Sequence, residues 1–502
     1  MLELVVPACE PLGRIARAQR RPDLGDGTFL NPILPGDHPD PCLLKDGIDY
    51  YLTCSSFQFT PGPVIWHSRD LVNWSPIGPA LTCAIGTVGA VDLVRHQGRY
   101  FLYLCVAQNC RASIQVVYAD DIAGPWSDPI DLDLADCIGA SHVVAADGSR
   151  HLFVNGIRRI QLSDDGLATA GVPVHVHTPP PVKQTASQAV FVSSGPRLIR
   201  RDSHFYLLHA SASATEGQVL TVARSPSLSG PWEDCPFNPL GDSDSTWTTS
   251  GSGSLVEGLA GDWWLVCHGY ERGHRSLGRQ PLLQPVEWGR DGWFRTRCGT
   301  LAKPQRKPRW AKRSPGVPAL SDDFSGQRIG MQWSFFDAGP DEMRRACQTN
   351  GGLLLAGKGN GLADCSPLTC VAADHDYEAE LEFEVCGHAQ GGLALFHDAR
   401  GFVGVGIDRD SMQTYSYGQA HRWMQQPVQG RHHRLRLTHR GHLVSFHHAT
   451  SDGRWMPNPW LQQVSVMHQH RFDGPHSLRL ALFSAGAGEV RMKRFTYRRL
   501  DG

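Results

Sequence analysis

The sequence predicts an all-β protein, a five-bladed β-propeller over about residues 28–305 followed by a β-sandwich over about 320–502. Two observations carry this. A polar turn flanked by aromatic-rich apolar runs recurs five times at a spacing of about 50 residues, the period of propeller blades. Past a basic, Pro-rich stretch, runs of strictly alternating apolar and polar residues take over, as half-buried antiparallel strands require.

The five repeats are "KDGIDYYLTCSS", "HQGRYFLYLCVA", "ADGSRHLFVNG", "RRDSHFYLLHAS" and "LAGDWWLVCHG". In each, one apolar strand enters a short turn of Gly, Asp or Ser and a second leaves it, which is a hairpin. A third strand follows in "VIWHSRDL", "IQVVYADDI" and "VLTVARSPS", each leading to a Trp turn, "DLVNW", "IAGPW" and "LSGPW". The segment "KPQRKPRWAKRSPGVP" then reads as a linker, and "YEAELEFEV", "GGLALFHD", "FVGVGID", "HHRLRLTHR" and "HSLRLALFS" as the strands of the sandwich. One residue of each pair "HH" at 432 and 447 is expected to face solvent.

Propeller geometry decides which segments share a mouth: the start of each first strand lies beside the loop between the second and third. In blade I these are "GDHPDP" and "SSFQFTPG", which bring Asp40 beside Phe57. Blade IV supplies "SSGP" and "SASATEG", with Ser194 near Glu216. Blade V supplies "TTSGSG" and "HGYERGHRSLGR", rich in titratable groups that include His268, Glu271 and His274.

Composition narrows the partners. With 48 Lys and Arg against 49 Asp and Glu, nothing in the charge calls for nucleic acid or an anionic membrane, and a neutral small molecule is the natural ligand. No run of 18 apolar residues occurs, and "MLELVVPACEPLGRIARAQRR" lacks the parts of a signal peptide, so a cytoplasmic protein is expected. The 14 cysteines form no CxxC pair, which argues for buried thiols instead of a zinc or redox site.

Three stretches, "NPILPGDHPDPCLL", "YYLTCSSFQFTPGPVIWHSRDLVNW" and "SLGRQPLLQPVEWGRDGW", resemble glycoside hydrolase family 43, especially its two-domain β-xylosidases and α-L-arabinofuranosidases. The resemblance runs from about residue 30 to the C-terminus. It implies a propeller that carries the active site and a lectin-like (concanavalin-like) sandwich. It also implies inverting, exo-acting hydrolysis of xylose- or arabinose-containing oligosaccharides, with no required cofactor and a possible homo-oligomer. Inversion needs one carboxylate as base and a protonated carboxyl as acid. The resemblance puts the base at Asp40 of "PDP" and a substrate-holding guanidinium at Arg279 of "LGRQ", where the alternatives are a turn-forming Asp and a salt-bridged Arg. Phe57 is either a wall against the sugar or core packing.

The chain departs from the family where the acid should stand. "SGPRL" aligns with a segment like "EGPHL", so Ser194 occupies the acid position, and "IGASHV" leaves Gly139 where an Asp would tune the acid's pKa. Ser252 of "TSGSGSLVE" replaces a His near a central metal or water site, which puts a structural metal on the propeller axis in doubt, and Gly89 replaces an aromatic. Three readings follow: a hydrolase whose acid has moved, with Glu216 the leading candidate and His268, Glu271 or His274 as others; a sugar-binding pseudoenzyme; or an enzyme for a substrate whose leaving group needs no acid. The sandwich reads first as a docking and stabilising domain, with sugar binding as the alternative.

Overall fold

The structure, a computed structural model, describes residues 19–500 apart from 110, 181–193, 214–216, 241–242, 298, 470 and 473; at 194, 212, 213, 217 and 252 it describes the backbone only. Among the described residues the regular structure is strand, broken only by short 3-10 turns. The chain divides into two units, Arg21–Val317 with Phe336–Pro340, and Pro318–Phe335 with Asp341–Gly502 and, of the described N-terminal residues, Gln19 and Arg20.

The first unit is a five-bladed propeller of four-stranded antiparallel sheets. Blade I holds Cys42–Asp46, Asp49–Thr53, Val64–Ser68 and Ser75–Pro79; blade II holds Thr87–His96, Arg99–Gln108, Arg111–Ala119 and Ile130–Asp131. Blade III holds Ala140–Val144, Arg150–Val154, Arg158–Gln161 and Val174–His175. Blade IV holds Ser194–Arg201, His204–Ser213, Gly217–Ser225 and Glu233–Asp234, and blade V holds Trp247–Glu257, Trp263–Glu271, Gln280–Trp288 and Phe294–Thr296. Each first strand packs on the first strand of the next blade, and that of blade V returns to blade I, so the ring is closed.

Strand parity explains why the second strands read as unbroken apolar runs. Both faces of every blade are buried, so successive side chains enter different inter-blade cores. In blade II, Leu102 and Leu104 pack with Tyr51, Ile65 and Val91, while Phe101 and Tyr103 pack with Leu152 and Val154. In blade IV, Phe205 and Leu207 join Phe153, while Tyr206 and Leu208 join Leu255, Leu265 and Phe294. The Trp turn of blade I buries Trp74 completely and ties its indole N–H to Leu71 O at 3.1 Å.

The basic stretch after blade V belongs to the propeller unit. Gln305–Arg306 pairs with Thr28–Phe29, joining the chain that leaves blade V to the chain entering blade I. Lys307 pairs with Asp23, and the Lys312 N–H donates to Arg69 O at 3.1 Å. What reads as a linker by composition is held down along most of its length by these partners.

The second unit is built on two long antiparallel strands, Tyr377–Phe396 and Arg479–Arg499. Toward one end Tyr377–Glu384 takes His432–Arg440 as a further neighbour, and toward the other Gly391–Phe396 takes Phe402–Ile407. The layers expected of a sandwich therefore share one hydrogen-bonded ladder. The alternating runs send Leu381, Phe383, Leu393, Leu395, Leu435, Leu437, Leu480 and Leu482 inward. His432 is exposed against Glu382 and His433 is buried, as alternation requires; His447 and His448 are both half-buried. Most described cysteines are buried thiols without a disulfide.

Candidate functional site

Asp40 stands just before the first strand of blade I, and three neighbours hold it. Its own N–H donates to His268 Nδ1 at 2.8 Å, the Ser55 hydroxyl donates to Oδ2 at 2.7 Å, and Arg279 Nη1 approaches Oδ1 at 3.4 Å. Blades I and V are joined at this point, because the Arg279 N–H donates to Asp37 Oδ1 at 2.9 Å and the His38 N–H donates to Arg279 O at 2.9 Å. Gly278 permits that approach: with φ at +76°, a Cβ there would lie 2.2 Å from Asp37 Oδ1. The Arg279 guanidinium carbon in turn lies 5.4 Å from the centre of the Phe57 ring. Phe57 exchanges backbone hydrogen bonds with Val88 of blade II, at 2.8 and 3.0 Å.

Asp40 and Phe57 both occupy the left-handed region, at φ 55° and 47°. An Asp tolerates this, whereas for a bulky aromatic it is strained and persists only where surrounding contacts impose it. Here the Val88 bonds and the Ser55 N–H to Pro39 O, at 2.9 Å, supply those contacts.

The electrostatics favour an ionised Asp40. Burial alone would raise its pKa, but the Arg279 charge, His268 and the Ser55 hydroxyl together hold it below the usual carboxylate value. One fifth of the side chain stays open to solvent. His268 is closed off, with 1 % of its side chain exposed, and burial lowers its pKa to about 4. Because Nδ1 accepts the Asp40 N–H, the neutral ring carries its proton on Nε2. His268 thus supports Asp40 from behind as an acceptor and is not a ready proton donor.

Glu271 has a different partner. It lies in the same strand as His268 but three residues on, so it projects to the opposite face of blade V, where the buried carboxylate meets the Gln280 amide at 3.4 Å. The sequence groups Glu271 with the mouth because it treats the stretch as loop, and the strand runs through to that residue.

Ser194 opens the first strand of blade IV opposite Ala210. The position where a pKa tuner would stand is beside it: a Cβ on Gly139, at φ +72°, would lie 3.2 Å from Gly195 Cα and 3.3 Å from Gly195 N. Backbone packs on backbone there. Glu216 lies outside the described residues; its neighbour Gly217 pairs with Ser213.

Sequence reasoning missed the pair that sits where the first strands converge. Arg197 of blade IV, 5 % exposed, donates through Nη1 to Ala140 O of blade III at 2.9 Å and through Nη2 to Val91 O of blade II, and Nη1 lies 3.4 Å from Asp92 Oδ1. The Asp92 carboxylate also accepts the His142 N–H at 2.6 Å and the Cys42 thiol at 3.7 Å. A guanidinium already takes these strand carbonyls, so the residues present do not fit a metal cation beside it. The available signal was a charge set within the apolar runs "VDLV" and "PRLI" of two first strands.

Comparison with known proteins agrees with this architecture. Glycosyl hydrolases family 43 matches residues 29–294, more than half of the chain. A non-reducing end alpha-L-arabinofuranosidase of Bacteroides ovatus is 29% identical over 336 residues, 62% of this chain and 62% of that protein. A xylosidase/arabinosidase of Butyrivibrio fibrisolvens is 31% identical over 291 residues, 52% of this chain and 55% of that protein. The matches thus span less than two thirds of the length of these curated relatives. The GH43 BlXynB protein of Bacillus licheniformis has the same fold, with a TM-score of 0.83 at 23% identity over 94% of this chain and 100% of that one. The chain belongs to glycosyl hydrolases family 43.

Proposed function

We propose that this chain is an exo-acting glycoside hydrolase that removes xylose or arabinose units from short oligosaccharides with inversion. The observation that carries the proposal is the Asp40 carboxylate, ionised, partly open to solvent and braced by Ser55, His268 and Arg279. A base in that state can take a proton from water as it attacks the anomeric carbon. Arg279 offers a planar fork of donors to vicinal hydroxyls, and Phe57 beneath it offers an apolar face. The names of the curated relatives support the pentose assignment.

The leaving oxygen requires a proton that a serine hydroxyl is too weak an acid to give. We assign that role to Glu216. Its flanking residues support the assignment: Ser213 and Gly217 pair three residues beyond Ala210, which is the partner of Ser194. A second reading, a sugar-binding protein that does not hydrolyse, is favoured by the close packing of Gly139 on Gly195, which leaves backbone where the acid and its tuner would stand.

The test measures product from aryl β-xyloside, aryl α-L-arabinofuranoside and the matching natural disaccharides, for wild type, Asp40→Asn, Glu216→Gln and Ser194→Glu. Turnover of the disaccharides that collapses in both Asp40→Asn and Glu216→Gln supports the hydrolase. Saturable sugar binding with no Asp40-dependent turnover rejects it in favour of the binder.

A further inference from the structure

A second feature suited to sugar lies within the sheet-rich unit. The strand Ser411–Ser416 pairs with Gln419–Ala420 and with Gln426–Pro427, and between these lies a single 3-10 turn, Arg422–Met424. Met424 turns inward, at 8 % exposure, while Trp423 stands out at 77 %. Trp460 comes alongside from a separate loop, its ring centre 5.7 Å from that of Trp423 at 41°, and His421 lies 4.3 Å from Trp460. The rings border a cleft of about 460 Å³ lined by Trp423, Met424, Gln425, Gln426, Pro459 and Trp460.

The arrangement is anchored. Both aromatic segments are tied to Thr414, which is fully buried: the His421 N–H donates to its carbonyl at 2.9 Å, and the Asn458 amide donates to its hydroxyl at 2.7 Å. Asn458 in turn accepts the Trp460 N–H at 3.1 Å, and Gln425 donates to the Ser411 hydroxyl at 2.6 Å. An indole left in water on a braced turn forgoes the stabilisation that burial would bring, so a ligand that covers it gains that term on binding.

The lining selects the ligand. No Asp, Glu, Lys or Arg lines the cleft, which removes the charge complementarity an ionic partner would need. Two indole faces at an open angle accept the C–H face of a sugar ring, and the Gln425 and Gln426 amides supply donors and acceptors for hydroxyls. The volume falls in the range of small-ligand sites, about 300–1,000 Å³.

We propose that the Trp423–Trp460 cleft is a second glycan-binding site, one that takes a neutral pentose-type glycan independently of the propeller site. The choice of sugar rests on the function proposed above; the cleft itself does not. The test uses the full-length protein, and measures retention on insoluble arabinoxylan, with cellulose in parallel, for wild type, W423A, W423F and W460A. Trp423 is exposed, so its replacement leaves the core untouched. The expected result is retention on arabinoxylan that falls at least tenfold in W423A and W460A, is partly kept in W423F, and leaves the rate on aryl glycosides unchanged. Equal retention in W423A and wild type overturns the site, and retention on cellulose alone overturns the pentose assignment. A change from dimer to monomer in W423A, read by light scattering, would assign the cleft to a second copy of the chain and also overturn it. Tryptophan-dependent retention in a protein without turnover rejects the hydrolase reading and leaves this site standing.

Discussion

Arg197 and Asp92, both almost wholly excluded from solvent, face each other at 3.4 Å between the first strands of blades IV and II. Burial pushes the Asp92 carboxyl up, against the Arg197 charge and the His142 N–H, which pull it down. Breaking one side of such a pair is costly because the other is left buried and unpaired. Arg197→Met is expected to destabilise the propeller by about 3–5 kcal/mol, and Arg197→Met with Asp92→Leu to recover much of the loss. Urea denaturation of both variants checks this; a double variant no more stable than the single one shows that the carbonyl bonds to Val91 and Ala140 dominate.

Asp40→Asn is expected to lower the rate on aryl glycosides by about 10²- to 10⁴-fold, the usual contribution of a positioned acid or base. The lowered pKa of Asp40 keeps the base ionised below the usual carboxylate range, so the acid limb of kcat/KM is expected at low pH. Removing the neighbouring charge in Arg279→Met raises that pKa, so the base becomes protonated at higher pH and the limb moves up. A rate loss in Arg279→Met with an unmoved limb would separate Arg279 from Asp40 electrostatically.

Stability is expected to fall as pH drops from about 6.5 toward 4. Burial lowers the pKa of His268 and His209 to about 4, and of His142 and His476 to about 3. The unfolded state therefore takes up protons in this window that the folded state refuses, and the fold is weakened by about 1.4 kcal/mol for each unit of depression once the pH is below the folded value. Protonation of His268 also removes the acceptor for the Asp40 N–H. Thermal midpoints at constant ionic strength test the sign; a midpoint that rises on acidification refutes it.

Ser194→Glu is expected to raise turnover of unactivated disaccharides if the acid alone is missing. Gly139→Asp added to it is expected to lower the thermal midpoint by several degrees without a further gain. An Asp tolerates the left-handed backbone at 139, but its Cβ meets the Gly195 backbone at 3.2 Å, closer than ordinary contact, so that backbone must shift. Rates and melting curves for the single and double variants decide this, and a double variant that is both faster and equally stable contradicts it.

The blade repeats and the propeller were legible because the second strands are apolar on both faces and are punctuated by turn residues, a pattern that local sequence carries. The nearness of Asp40, Phe57 and the blade V loop followed from strand order, since alternating directions bring the same strand ends to one mouth, while the family resemblance singled out Arg279 within that loop. The extent of the blade V strand was not legible, because no residue near "HGYERG" marks its end and the strand runs on to Glu271. The Arg197–Asp92 pair, the packing of Gly139 on Gly195 and the meeting of Trp423 with Trp460 were out of reach for a different reason. Each joins segments that are distant in the chain. Sequence period determined which side of a strand each residue takes; only the closure of the ring and the folding of the second sheet decided which residues from other strands it would meet there.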